Sequence, residues 1–113
     1  MKSTAEIVQF DLNQSDAMRL PRITLIIPVL NEEDSIGIFL DRATEMMQAN
    51  ADRATFDILF VNDGSTDRTE RVILAAAEGR DDISLINLSR NFGKEAALIA
   101  GMAHATGDAV IPL

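Results

Sequence analysis

Between Arg22 and Leu113, short runs of β-branched and other apolar residues alternate with longer segments whose apolar positions recur at helical spacing. That alternation predicts strands joined by helical crossovers. Four strands are expected: about Arg22 to Val29 (RITLIIPV), Phe56 to Asn62 (FDILFVN), Ile83 to Leu88 (ISLINL) and Asp108 to Leu113 (DAVIPL). Each intervening stretch is long enough for a helix to return the chain, so the strands are expected to pair in parallel. In the first crossover, EDSIGIFLDRATEMMQA, the residues Ile36, Phe39, Leu40, Ala43, Met46 and Met47 follow i, i+3, i+4, i+7 spacing and predict one face packed on the sheet. Asn31 reads as its N-cap, and Asp34 adds a carboxylate at the positive end of the helix. A second helix is expected over about Thr66 to Glu78 with Ser65 as its cap, and a third over about Phe92 to Ala105, ending at Gly107.

The chain has 113 residues, the size of one domain or part of one. Its 47% apolar and 25% charged content is that of an ordinary globular chain. A net charge of -8 argues against a nucleic-acid partner, because a phosphate backbone is bound through bulk positive charge. The absence of cysteine removes a disulfide framework and a thiolate metal site, and fits a cytoplasmic location. The longest apolar run, ITLIIPVL, falls far short of the ~18 residues that suggest a membrane span. Residues 1–20 lack the features of a secretory signal and read as a mobile leader in which EIVQF docks on the rest. Residues 21–113 form the domain.

In an open parallel sheet, ligands bind outside the carboxyl ends of the strands. Three polar loops fall there: PVLNEED after the first strand, NDGSTD after the second and SRNFGKE after the third. All three open helices and so present free backbone N–H groups along one edge. Familiar motifs fail on inspection. SRNFGKE lacks the first glycine and the Ser/Thr of a Walker A loop, and no G-x-G-x-x-G follows any strand. DGSTD begins like a calcium loop, but Arg68 occupies the glycine position and Leu74 the final glutamate position.

What remains suits a neutral base, a ribose and a diphosphate. Asp63, at the tip of a buried strand, is able to accept a hydrogen bond from a nucleobase ring N–H, with Gly64 letting the backbone turn closely past it. Asp63-Gly64 is equally readable as a plain turn into a helix. In PVLNEED, taken alone, Pro28 and Asn31 are better explained by a strand end and a helix cap. Lys94, with Arg90, places positive charge beside the first turn of a helix, where the macrodipole favours anions, and an anionic diphosphate would reverse that penalty. His104 lies in an apolar face and reads as a packing or surface residue.

Taken together, IPVLNEEDSI, FDILFVNDGSTDRT and LSRNFGKEAALIAGMAHATGDAVIPL resemble, in order and spacing, the N-terminal half of the family 2 inverting glycosyltransferases. The likeness is closest to the branch that moves a sugar from a nucleotide donor to a polyprenyl phosphate, such as dolichol-phosphate mannosyltransferases and bactoprenol glucosyltransferases. The resemblance implies an α/β fold, a Rossmann-like parallel sheet that is the nucleotide-binding half of a glycosyltransferase A-type fold. It implies that Asp63 contacts the base, with Val61 beside it, that Pro28, Leu30, Asn31 and Glu32 line base and ribose, and that Lys94 faces the diphosphate. A UDP-sugar is the favoured donor over GDP-mannose. Relatives continue after a strand like DAVIPL into an Asp-x-Asp block that holds magnesium or manganese, then into the acceptor-binding half. With Leu113 the last residue, the expectation is a truncated nucleotide-binding half, inactive alone, with neither metal ligand nor catalytic residue of its own. Self-association through the uncovered fourth strand is also expected. Full-length relatives are expected at the cytoplasmic face of the membrane. The alternatives are a nucleotide-binding or assembly module without chemistry, and a phosphoacceptor receiver-like domain, which lacks its acidic pair here.

Overall fold

The computed structural model describes residues 19–113, so the expected docking of EIVQF and all but Arg19 and Leu20 of the expected leader lie outside the described residues. Four strands form one parallel sheet in the order β3-β2-β1-β4: β1 (Arg22–Val29), β2 (Thr55–Asn62), β3 (Ile83–Asn87) and β4 (Ala109–Pro112). Each lies within a residue or two of its expected span. The β-branched runs end up centrally because a strand flanked on both sides and covered on both faces has few positions to spare for a polar side chain. Leu25, Ile26, Ile27 and Val29 of β1 and Ile58 to Val61 of β2 are buried accordingly.

Alternation along the strands divides the core in two. Leu25, Ile27, Val29, Ile58 and Phe60 pack with Ile36, Leu40, Ala43 and Met47 of α1 (Ile36–Ala49) and Ile73 of α2 (Thr69–Ala77). Phe39 adds an edge-on ring contact to Phe60, with centroids 6.4 Å apart. On the opposite face, Ile26 and Val61 meet Ala97 of α3 (Lys94–His104). This second core is thin, and Gly101 is what allows α3 to approach: a Cβ there would lie 2.5 Å from Ile26 Cγ2. Among the described residues no helix is long and apolar enough to cross a membrane.

Four local expectations are corrected. Met46 is exposed, since the buried stripe of α1 runs through Ile36, Leu40, Ala43 and Met47 and leaves Met46 about 100° away round the helix. Asn31 does not cap α1, and Asp34 does not lie in its first turn: the helix starts at Ile36 after Ser35. Ser65 does not cap α2, which starts at Thr69. The reason is the same for Asn31 and Ser65: each is engaged with the other's loop, described below.

At the amino edge, Arg22 ties β1 to both neighbours. Its N–H donates to Asp108 (2.8 Å), and its guanidinium donates to the Thr106 hydroxyl and lies 3.5 Å from the Asp57 carboxylate. Ahead of β3, Arg80 makes a two-pronged pair with Asp82, at 3.0 and 2.8 Å. The hydrogen bonds from Arg80 hold the Asp82 carboxyl below its ordinary value despite partial desolvation. Because the folded-state value is the depressed one, the pair stabilises the fold above the unfolded value of about 3.9, and this contribution is lost as the pH falls through the folded value. For a pair this open to water the loss is about 0.5 kcal/mol. Urea midpoints of the parent and Asp82→Asn should therefore differ at pH 7 and converge in the acid range.

Candidate functional site

Parallel pairing delivers the loops after β1, β2 and β3 to one edge of the sheet, and there they enclose an open cleft of about 410 Å³. Pro28, Val29, Leu30 and Glu32 line it from the first loop, Asp63 from the second, and Asn91, Gly93 and Lys94 from the third. Of the residues singled out in the sequence, Pro28, Leu30, Glu32, Asp63 and Lys94 are thus brought to one place. Asn31 and Val61 are not among the lining residues. Val61 is fully buried on the α3 face, where its side chain supports the strand that ends in Asp63.

Asp63 is 4% exposed, which for a carboxylate demands hydrogen-bond partners. It has two. One oxygen accepts the Phe92 N–H at 2.7 Å and the other the Gly93 N–H at 3.0 Å. These are the backbone donors just ahead of α3, so a side chain at the tip of β2 acts on the start of a helix about thirty residues later. Sequence reasoning placed Asp63 in the site but missed this partner, because no local pattern announces a cap from another loop. Gly64 is needed for the same closeness. It has φ +79°, and a Cβ there would collide with the backbone of Asn91 and lie 2.5 Å from the Arg90 carbonyl carbon.

Gly93, at φ 103°, turns the chain into α3 and leaves Lys94 as its first residue. Lys94 is exposed, and the Arg90 guanidinium stacks over the Phe92 ring at 4.8 Å from its centroid. Lys94 therefore stands at the positive end of a helix and lines the cleft together with Glu32 and the buried Asp63 carboxylate. That arrangement suits a ligand with a polar ring system at one end and an anion at the other.

The first and second loops are joined by side chains. Asn31 adopts a left-handed conformation (φ 53°), unusual for a residue other than glycine. Its N–H donates to Ser65 Oγ at 2.9 Å, and its Oδ1 accepts from the Thr66 and Asp67 N–H groups at 2.8 and 3.3 Å. Desolvation pushes the Asp67 carboxyl up, but hydrogen bonds from the Thr69 hydroxyl and from the Thr69 and Glu33 N–H groups outweigh it and hold the group below its ordinary value. A second polar chain runs from the Ser65 N–H to Asn62, from Asn62 to Asn87 and from Asn87 to Glu70, fastening β2 to β3 and α2.

The cleft does not fit a divalent cation. Such an ion needs several oxygen ligands converging on one point, whereas the cleft offers two carboxylates, Asp63 and Glu32, with a lysine beside them. No three His, Asp or Glu side chains converge anywhere among the described residues.

An open parallel sheet with its cleft at the carboxyl edge of the central strands defines a Rossmann-like α/β protein. The family model for glycosyl transferase family 2 matches residues 24–113, and the chain belongs to that family. A prophage bactoprenol glucosyl transferase homolog of Escherichia coli K12 is 45% identical over 92 residues, which are 81% of this chain and 29% of that protein. An undecaprenyl-phosphate 4-deoxy-4-formamido-L-arabinose transferase of Sodalis glossinidius is 37% identical over 100 residues, covering 85% of this chain and 29% of its own length. Among solved structures, a mannosyltransferase of Pyrobaculum calidifontis in complex with GDP-Man and Mn2+ superposes with a TM-score of 0.69 at 32% identity, over 80% of this chain and 26% of that one. The chain therefore spans less than a third of the length of these relatives.

Proposed function

We propose that this chain supplies the nucleotide-binding part of a family 2 glycosyl transferase that moves a sugar from a nucleotide-diphospho-sugar to a polyprenyl phosphate. The observation that carries this reading is the convergence of Pro28, Leu30, Glu32, Asp63 and Lys94, drawn from three separate loops, on one cleft. Pro28 and Leu30 offer apolar contact to a base, and Glu32 an acceptor for a ribose hydroxyl. Each Asp63 oxygen holds one N–H and retains a lone pair, so the carboxylate still has room for a base N–H. Lys94 answers the diphosphate. Uracil, with its single ring N–H, asks less of Asp63 than guanine with two adjacent donors, which favours a UDP-sugar over GDP-mannose. Val61 and Asn31 act at one remove, holding β2 and the first loop in place.

The names of the bacterial relatives support the polyprenyl phosphate acceptor, and with it work at the cytoplasmic face of a membrane. A phosphate acceptor is already anionic at neutral pH, so its oxygen needs little help from a general base. A divalent cation on the donor diphosphate would take its ligands from outside the cleft described above. What the residues of the cleft contribute is binding and orientation of the donor, which transfer requires before any charge develops on the leaving group.

The test is calorimetric titration of UDP, uridine and GDP into the parent and Lys94→Ala. UDP should bind the parent more tightly than GDP. The substitution should weaken UDP about fivefold, the equivalent of ~1 kcal/mol for an exposed charge-assisted contact, and leave uridine unchanged. A parent protein that binds none of the three, or a Lys94→Ala protein that binds UDP as well as the parent, overturns the assignment.

A further inference from the structure

The wall of the cleft that carries Leu30 and Glu32 is held from behind, by residues that do not line the cleft. The N–H groups of three successive residues, Asn31, Glu32 and Glu33, donate to Ser65 Oγ, Thr69 Oγ1 and Asp67 Oδ2, at 2.9, 2.8 and 3.2 Å. Thr69 is fully buried, and its hydroxyl donates a hydrogen bond to Asp67 Oδ1, the atom that also accepts the Thr69 N–H at 2.9 Å. Asp67 and Thr69 thus form one unit, acceptor for two successive backbone groups of the first loop. Neither touches the cleft.

We propose that Asp67 and Thr69 are positioning residues for the nucleotide: they lock the segment from Leu30 to Glu33 so that Leu30 and Glu32 face Asp63 and Lys94. The inference rests on the nucleotide-binding reading above and extends it to residues that make no contact with the ligand. Asn31 shows why a lock is needed. Its left-handed backbone is intrinsically unfavourable, and an unrestrained loop would leave it for the ordinary regions and swing its neighbours away. Affinity scales with the fraction of molecules whose loop is competent to bind. If the unlocked loop is competent about one tenth of the time, the apparent dissociation constant rises about tenfold, with no contact to the ligand removed.

Three variants test this. Thr69→Val keeps the shape and deletes the hydroxyl. Thr69→Ser keeps the hydroxyl and deletes the methyl. Asp67→Asn keeps the shape but replaces one acceptor oxygen with a donor, so it cannot serve both Thr69 and Glu33. UDP is titrated into each at a temperature well below its unfolding midpoint, and amide hydrogen exchange is followed in the same samples. Thr69→Val and Asp67→Asn should bind UDP about tenfold more weakly and lose protection at the Glu32 and Glu33 amides, while the amides of β2 and β3 stay protected. Thr69→Ser should bind within about twofold of the parent. If Thr69→Val does not fold, Asp67→Asn, which replaces a half-buried side chain, carries the comparison. Parent-like affinity in Asp67→Asn or Thr69→Val, despite unprotected loop amides, overturns the positioning role and leaves the nucleotide reading intact. A parent that binds no nucleotide overturns that reading itself and is told apart by the parent titration alone.

Discussion

Asp63→Ala is expected to lower the unfolding free energy by about 2–4 kcal/mol and to abolish nucleotide binding, because one side chain serves both ends. In the structure its carboxylate holds the N–H groups of Phe92 and Gly93, and deleting it orphans the Phe92 donor and leaves the Gly93 N–H with Asn91 Oδ1 alone, at 3.0 Å. A domain of this size has a total stability of about 5–15 kcal/mol, so the loss is a large share of it. The two effects separate by comparison with Asp63→Asn. The amide retains one acceptor for Phe92 or Gly93 and presents an NH2 to the other, so it should recover part of the stability without recovering the base contact. Urea denaturation gives the first quantity and UDP titration at low temperature the second. A stable, folded Asp63→Ala protein would mean that the third loop does not depend on this carboxylate.

Gly64→Ala is the second large effect, expected to destabilise by about 2–4 kcal/mol, from a left-handed backbone forced on a residue with a Cβ and from the collision that follows. Gly64 sits at φ +79° against the backbone of Arg90 and Asn91, which cannot yield as a flexible side chain would. The third loop must retreat, and with it go the Asp63 bonds and the position of Lys94. Gly79, also at positive φ (+74°) but with open space around it, is the natural control. Gly79→Ala should suffer only the conformational part, about 1 kcal/mol. Similar losses in both proteins, measured by thermal or chemical unfolding, would show that the close approach at Gly64 carries no weight.

Strands were easy to locate in the sequence because their burial leaves a nearly unbroken trace: ILFV is wholly apolar, and ITLIIPV carries one polar residue, the β-branched Thr24. Loop partners left no such trace. Asn31 and Ser65 both stand where a helix cap belongs, and local pattern alone favours that reading. In the structure they find each other, 34 residues apart in the chain, and a neighbouring loop supplies what a helix end would otherwise take. The same holds for Asp63 and Phe92, whose pairing depends on β2 and β3 lying side by side. Asp63 and Lys94 were legible from strand ends and residue type, while Pro28, Leu30 and Glu32 were placed by the family resemblance, which also placed Asn31 and Val61 where the cleft does not reach. The latch of Asp67 and Thr69 was not, since NDGSTD reads as the start of a helix until the loop from β1 is laid against it.

β1 is central in the sheet, yet its two neighbours are made at very different times. Ile23 pairs with Phe56 on one side and with Ala109 on the other. As the chain leaves a ribosome at about 5–20 residues per second, the first flank of β1 is covered early, while the second stays bare for several seconds more. Such long-range parallel closure is intrinsically slow and leaves an apolar strand edge open to other nascent chains. Arg22, whose N–H and guanidinium reach Asp108 and Thr106, then fastens that last flank as it arrives. Yield in a cell, more than equilibrium stability, is therefore the property expected to respond to this strand order.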